Sequence, residues 1–332
     1  MAAADATPPT GHPPVIDGGW LRPDARRPAE PRWGHPAGIQ IGLHPLGGPR
    51  GLLRVYTPYL GHDRMRLVNF VAVEPIVVGD VDRGFSELEV SELDETAGKR
   101  FWSMDEPGNA APGVALEPAR GVIEEVDGVE CLTVWIGVER FANGAEVDVR
   151  LRFRADRPHE VSLAARRRPR SVPLATCVLT ATMGNYARLR RLHLRDRAIT
   201  AAQLWPDFTG NHFADHAAFP LSDLARDGRA AVVAATPDET APGEARYDAD
   251  VRDHWHYSGL RAVQGWLVPD PDPELRVLVN GRRVYWASEA SIPGGISFEN
   301  FEIVEPYRDD AECIFWIEPF ETDDGIDHLL VR

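Results

Sequence analysis

One lysine, three cysteines and no long hydrophobic run set the first limits on this chain of 332 residues. Lys99 is the only lysine, so a Schiff base or a lysine general base is confined to that position. Cys131, Cys177 and Cys313 sit in apolar surroundings and form no C-x-x-C pair. A zinc ribbon is therefore excluded, the odd count speaks against a secreted disulfide framework, and all three read as buried, inert thiols. No stretch reaches the roughly 18 apolar residues of a transmembrane helix. The start, Met-Ala-Ala-Ala-Asp-Ala, lacks the basic and apolar regions of a signal peptide, so the expected location is cytoplasmic. The chain has no G-x-S-x-G, P-loop, H-E-x-x-H or post-strand G-x-G-x-x-G motif. Serine hydrolases, NTPases, zincins and dinucleotide enzymes lose support accordingly, and no cofactor is called for.

Positive charge is short as well. Lys plus Arg total 36 against 51 Asp plus Glu, a net charge of −15. A surface that tracks phosphates needs a basic field, so nucleic acid and anionic membranes are not expected partners. Oligomeric state is left open.

What the chain does have is punctuation and short apolar runs. Its 29 Gly and 28 Pro break any long helix, and only residues 201–204 or 221–226 suit a helical turn. From Trp33 on, period-2 alternation recurs between turn residues. Asn143-Gly144 and Asn280-Gly281 are both expected at hairpin turns, where positive φ is needed. The reading is all-β: a large antiparallel sandwich or supersandwich of about fifteen strands with very little helix. Residues 31–332 form one domain on this view. Residues 1–30, rich in Pro, Ala, Gly and Asp, form a flexible or surface-draped arm.

Several segments carry a resemblance. They are Trp33–Leu43, Gly48–Leu52, Asn69–Pro75, Thr180–Arg190 and Ile292–Gly295. Together they resemble a family of uncharacterised bacterial proteins from glycan degraders, over most of the chain after Trp33. The general layout is similar to the galactose-mutarotase-like supersandwich of epimerases, polysaccharide lyases and some glycosidases. That likeness implies a fold and a sugar ligand but transfers no catalytic residue.

Five constellations could carry chemistry. In Phe85–Leu93, taken as a strand, Leu88 and Val90 face inward, and Glu87 and Glu89 stand about 6.5–7 Å apart on the other face. That spacing lies near the range of inverting glycosidases, and a solvated strand face is the plainer alternative. Glu74 and Glu139 each end a strongly apolar run; a carboxylate there is either ion-paired or shifted in pKa. Tyr186, Arg188 and Arg190 share a face if extended. Arginine can neutralise a uronate carboxylate while Tyr186 moves the proton in a β-elimination, and an Arg-lined solvent face is the alternative. Arg150, Arg152 and Arg154 alternate with apolar residues as a basic outer face.

His212 and His216, and His254 and His256, form two close pairs. A general acid or base is favoured over a metal site, for which no ligand spacing exists, so no metal is expected; polar loop histidines without a role are the plainer alternative. Trp255, flanked by His254, His256 and Tyr257, is the candidate sugar platform. The catalytic candidates are thus Tyr186, Glu74, Glu139, His212 and His254. Arg188, Arg190, Trp255, Tyr257, Glu87 and Glu89 are the candidates for substrate binding. The expected function is a carbohydrate-active enzyme that cleaves a glycosidic linkage, by elimination at a uronate or by hydrolysis. A non-catalytic carbohydrate-binding sandwich and a sugar epimerase or mutarotase are the alternatives.

Overall fold

A computed structural model describes residues 15–24, 31–43, 50–60, 67–108, 117–182, 188–239, 241–251, 256, 260–285 and 288–320. The chain is all-β, with 49% strand and 3% helix, far from the roughly one-third helix of an average globular protein. Two antiparallel sheets form a sandwich.

The first sheet has ten strands. In spatial order they are β1 (Val15–Asp17), β2 (Trp20–Arg22), β3 (Arg32–Gly34), β4 (Gln40–Gly42), β5 (Leu53–Tyr56), β6 (Leu67–Val77), β12 (Leu174–Thr182), β20 (Ser297–Val304), β19 (Arg276–Arg282) and β15 (Ala217–Pro220). The second sheet has eleven. Its main path is β14 (Ala198–Thr200), β13 (Leu189–His193), β17 (Ala230–Pro237), β18 (Ala262–Val268), β21 (Glu312–Pro319), β11 (Glu160–Arg167), β10 (Val147–Arg154), β9 (Val129–Val138) and β7 (Phe101–Met104). Two further strands, β8 (Val122–Val126) and β16 (Ala225–Asp227), pair with β9 and β17. The described strands number twenty-one rather than about fifteen. The excess comes mainly from three-residue strands, too short to show a period.

Alternation builds the core. Val71, Val73, Leu179, Phe301, Ile303 and Val277 point one way from the first sheet, and Val134, Ile136, Leu151, Phe153, Leu163 and Phe315 answer from the second. Each fully buried side chain of this size contributes about 1.5–3 kcal/mol. Within the segment read as an arm, β1 and β2 form an edge hairpin, and Trp20 is buried with its Nε1 donating to Glu130 at 2.9 Å.

Of the two Asn-Gly pairs, Asn143-Gly144 is the turn between β9 and β10, with Gly144 at φ +86°. Asn280-Gly281 is not a turn. It lies inside β19, where the register against β20 shifts between Val279 and Gly281. A Cβ at Gly281 would stand 2.8 Å from the Ser297 carbonyl oxygen, so close strand approach, not positive φ, accounts for that glycine. The expected helical turns are present as an α-helix, α1 (Ala201–Leu204), and a 3-10 turn at Leu221–Asp223. Thr200 and Gln203 close a capping box at the start of α1. Among the described residues no helix is long and apolar enough to cross a membrane.

Candidate functional site

The outer face of the ten-stranded sheet gathers the titratable residues. Cross-strand register puts Ala72, Thr180, Glu302 and Leu278 in one row over β6, β12, β20 and β19. Glu74 lies two residues along β6 from that row, on the same face. Past β6 the chain turns back, and a bridge pairs Arg83 with Ile76. Arg83 is thereby held over the sheet, and its Nη1 donates to Glu74 Oε2 and Glu302 Oε2, each at 2.8 Å. His216, next to β15, places Nε2 3.0 Å from Glu302 Oε1 and 3.3 Å from Asn280 Nδ2. The Asn280 Oδ1 accepts from the Asn300 backbone N–H at 3.1 Å, and Thr182 donates to Asn300 Oδ1 at 3.0 Å.

Burial separates the roles. Glu74 and Glu302 are each 3% exposed, while the His216 side chain is 44% exposed. Burial and the nearby Glu87 push the Glu74 carboxyl up to about 8, against the opposing pull of Arg83. Burial outweighs Arg83 at Glu74, and Glu302, on the same guanidinium nitrogen, adds a smaller push in the same direction. Burial pushes Glu302 up too, but hydrogen bonds from His216 and Arg83 outweigh it, and Glu302 lies below its ordinary value. Burial also raises Glu87, whose Oε2 has no hydrogen-bond partner.

The result is one ionised and one protonated carboxyl on a shared arginine. An ionised carboxylate only accepts, so in this contact His216 Nε2 is the donor. A half-exposed imidazole oriented by a buried carboxylate has the form of a general base with its orienting partner.

The sequence found Glu74 and Glu87 but set Glu87 in the wrong element. Phe85–Leu93 is no strand: it is a run of turns within the β6–β7 connection. The expected orientation is also inverted. Leu88 and Val90 are 58% and 57% exposed, while Glu87 and Glu89 turn inward. Buried partners hold these carboxylates in place. Glu89 pairs with Lys99 at 3.0 Å and accepts from the Ala142 N–H at 2.9 Å, and Lys99 is 1% exposed. Alternation states which residues share a face but not which face is inside.

Glu139 is buried and accepts from the backbone N–H groups of Glu92 and Arg100 at 2.7 and 3.0 Å. It anchors the same connection and does not join the Glu74 cluster in these contacts. His212 is exposed and lies edge-on to Phe208, with ring centroids 5.3 Å apart. Glu302, Arg83 and Asn280 were missed. Glu302 sits in the alternating run Phe298–Val304 and carries the same apolar-strand signal as Glu74; Arg83 had no signal of its own.

A second cluster forms around Arg188 and Arg190. Arg188, at 0% exposure and φ +48°, bonds Glu239 Oε1 at 3.2 Å and Tyr247 Oη at 2.6 Å. Arg190 reaches Asp238 at 2.9 Å, Glu239, and the Pro293 carbonyl at 2.9 Å. Tyr247 stacks on His256 with centroids 4.2 Å apart. Both arginines are thus engaged with carboxylates, and a left-handed backbone at Arg188 departs from the extended geometry expected there. Tyr186, His254, Trp255 and Tyr257 lie outside the described residues.

Arg150, Arg152 and Arg154 do form an outer face, each paired with a carboxylate: Arg150 with Asp310 and Glu312, Arg152 with Glu124 and Glu312, and Arg154 with Asp156. Among the described residues no group of three or more His, Cys, Asp or Glu could hold a metal ion. Comparison of the chain with protein-family models, with curated proteins and with solved structures found no match.

Proposed function

We propose that the protein is a carbohydrate-active enzyme and that its first chemical step is proton abstraction from a sugar by His216, oriented by Glu302. The observation that carries this reading is the half-exposed His216 imidazole held 3.0 Å from Glu302, a buried carboxylate that Arg83 also holds. The resemblance to proteins of glycan degraders and to the galactose-mutarotase-like layout supports a sugar as substrate.

Cleavage of the glycosidic linkage by β-elimination is the proposed reaction. The base removes the proton beside a uronate carboxylate, the freed electron pair forms the ring double bond, and the glycosidic oxygen leaves and takes a proton from water. Hydrolysis has less support, because the close carboxyl pair, Glu74 and Glu302, is bridged by a guanidinium and lies below the surface. Epimerisation is the second reading, favoured by the His216–Glu302 pair itself, since it begins with the same proton abstraction.

The test is a panel of uronate-containing glycans, followed by the ultraviolet absorbance of the unsaturated product. Parallel incubations in heavy water are read by NMR for deuterium uptake at the sugar ring without cleavage, which reports epimerisation. His216→Ala should lower the rate by about 10²–10⁴ for a lost general base. Full activity of that variant on a confirmed substrate would remove His216 from the mechanism. Saturable sugar binding with neither reaction would make the protein a binding module.

A further inference from the structure

The connection from β6 to β7, residues 78–100, separates its side chains sharply. Inward go polar pins. Ser86, fully buried, donates to the Gly51 carbonyl at 2.6 Å and accepts from the Val73 N–H at 3.1 Å. Glu89 meets Lys99, and Glu139 receives the N–H groups of Glu92 and Arg100. Outward go Val78 (63% exposed), Val81 (91%), Phe85 (37%), Leu88 (58%), Val90 (57%) and Leu93 (46%). These are six of the eleven exposed large apolar side chains among the described residues, all on this one connection. The pins make this a fixed shelf, so the exposure is a property of the fold rather than of a slack loop. Concentrated exposed apolar groups of this kind mark interaction sites.

The exposed charges of the connection itself are acidic. Asp80, Asp82, Glu92 and Glu95 are exposed there, Asp94 is paired with Arg50 at 2.8 Å, and the connection's own three cations are withheld. Arg83 is held by two carboxylates, Lys99 is buried, and Arg100 is half-buried. We propose that this shelf docks a cationic amphipathic polypeptide segment, with apolar side chains on the valines and leucines and Lys or Arg against the acidic rim. A second copy of this chain, at net charge −15, would bring like charges together at the rim. An anionic membrane is repelled for the same reason. The same connection carries Arg83, which holds Glu74 and Glu302. The docking claim does not depend on sugar chemistry.

The probe is a fluorescently labelled amphipathic peptide of leucine and lysine, titrated with the whole protein and followed by anisotropy. Binding should saturate, weaken as salt screens the carboxylates, and vanish for a peptide with glutamate in place of lysine. The double substitution Leu88→Ser with Leu93→Ser should weaken it at least about tenfold, the loss expected when two leucines no longer bury apolar surface. Both positions are exposed, so the variant should keep its circular dichroism and melting temperature. Val122→Ser with Ile123→Ser, exposed apolar positions on β8, is the control and should change nothing. Equal weakening by the control pair, or none by the shelf pair, overturns the proposal. So does a dimer in sedimentation that the shelf substitutions dissociate, or shelf-dependent binding to phosphatidylserine vesicles.

Discussion

Replacing Glu74 by glutamine should change how stability depends on pH. The wild-type carboxyl has an ordinary value of 4.5 and stands at about 8 in the fold. Above 4.5 the unfolded chain releases this proton while the folded chain keeps it. The unfolded state therefore binds fewer protons, and stability falls as pH rises toward about 8. Each pH unit of that window is worth about 1.4 kcal/mol. The 3.5 units between 4.5 and about 8 bound the loss at roughly 5 kcal/mol, reached when both states are ionised. Glutamine keeps the hydrogen-bonding shape of the protonated carboxyl and cannot ionise. Glu74→Gln should match the wild type near pH 5 and exceed it increasingly toward pH 8 and above. Urea unfolding at a series of pH values, compared between the two proteins, isolates the group from every other titration. A difference that stays flat over that range would refute the argument that burial keeps Glu74 protonated against the pull of Arg83. A variant that loses ground as pH rises would refute even its sign.

Lys99→Met should destabilise by about 3 kcal/mol, because Glu89 is left inside without its cation; the double change Lys99→Met with Glu89→Gln should recover most of that, and a single-variant effect below about 0.5 kcal/mol in denaturation would sink the pairing argument. Glu139→Ala leaves the N–H groups of Glu92 and Arg100 without their acceptor; a loss of about 2–4 kcal/mol is expected, with activity per folded molecule retained, and a stable but inactive protein would return Glu139 to the catalytic candidates. Gly51→Ala places a Cβ 1.8 Å from the Ser86 carbonyl oxygen at φ +70° and should reduce soluble yield sharply; a normally folded variant would show that the shelf tolerates displacement. Cys131 and Cys313 are buried and burial raises both thiols, so neither should react with Ellman's reagent until the protein is unfolded.

The all-β class was legible in the chain because it is a local property. Glycine and proline density forbids long helices, a period of two survives in strands such as Val147–Arg154, and continuous apolar runs such as Leu67–Val77 mark strands buried on both faces. Glu74 was legible for a related reason: a carboxylate inside an apolar run conflicts with its surroundings wherever the run is buried. The turn at Asn143-Gly144 followed from backbone chemistry alone. Asn280-Gly281 carries the same dipeptide and is a strand, because pairing with β20 outweighs the local turn preference.

The rest was decided by tertiary structure. Arg83 lies 219 residues from Glu302 in sequence, and His216 lies 86 residues from it. Only the strand order, with β12 and β20 between β6 and β19, brings these groups onto one face. The same holds for the shelf. In Phe85–Leu93 the alternation is plain, but which half faces inward depended on partners far away in the chain or in a different turn: Gly51 for Ser86, Lys99 for Glu89 and Arg83 for Glu87. A carboxylate goes inside when a cation or an N–H group already waits there, and that condition is a property of the folded assembly of strands, not of the nine residues themselves.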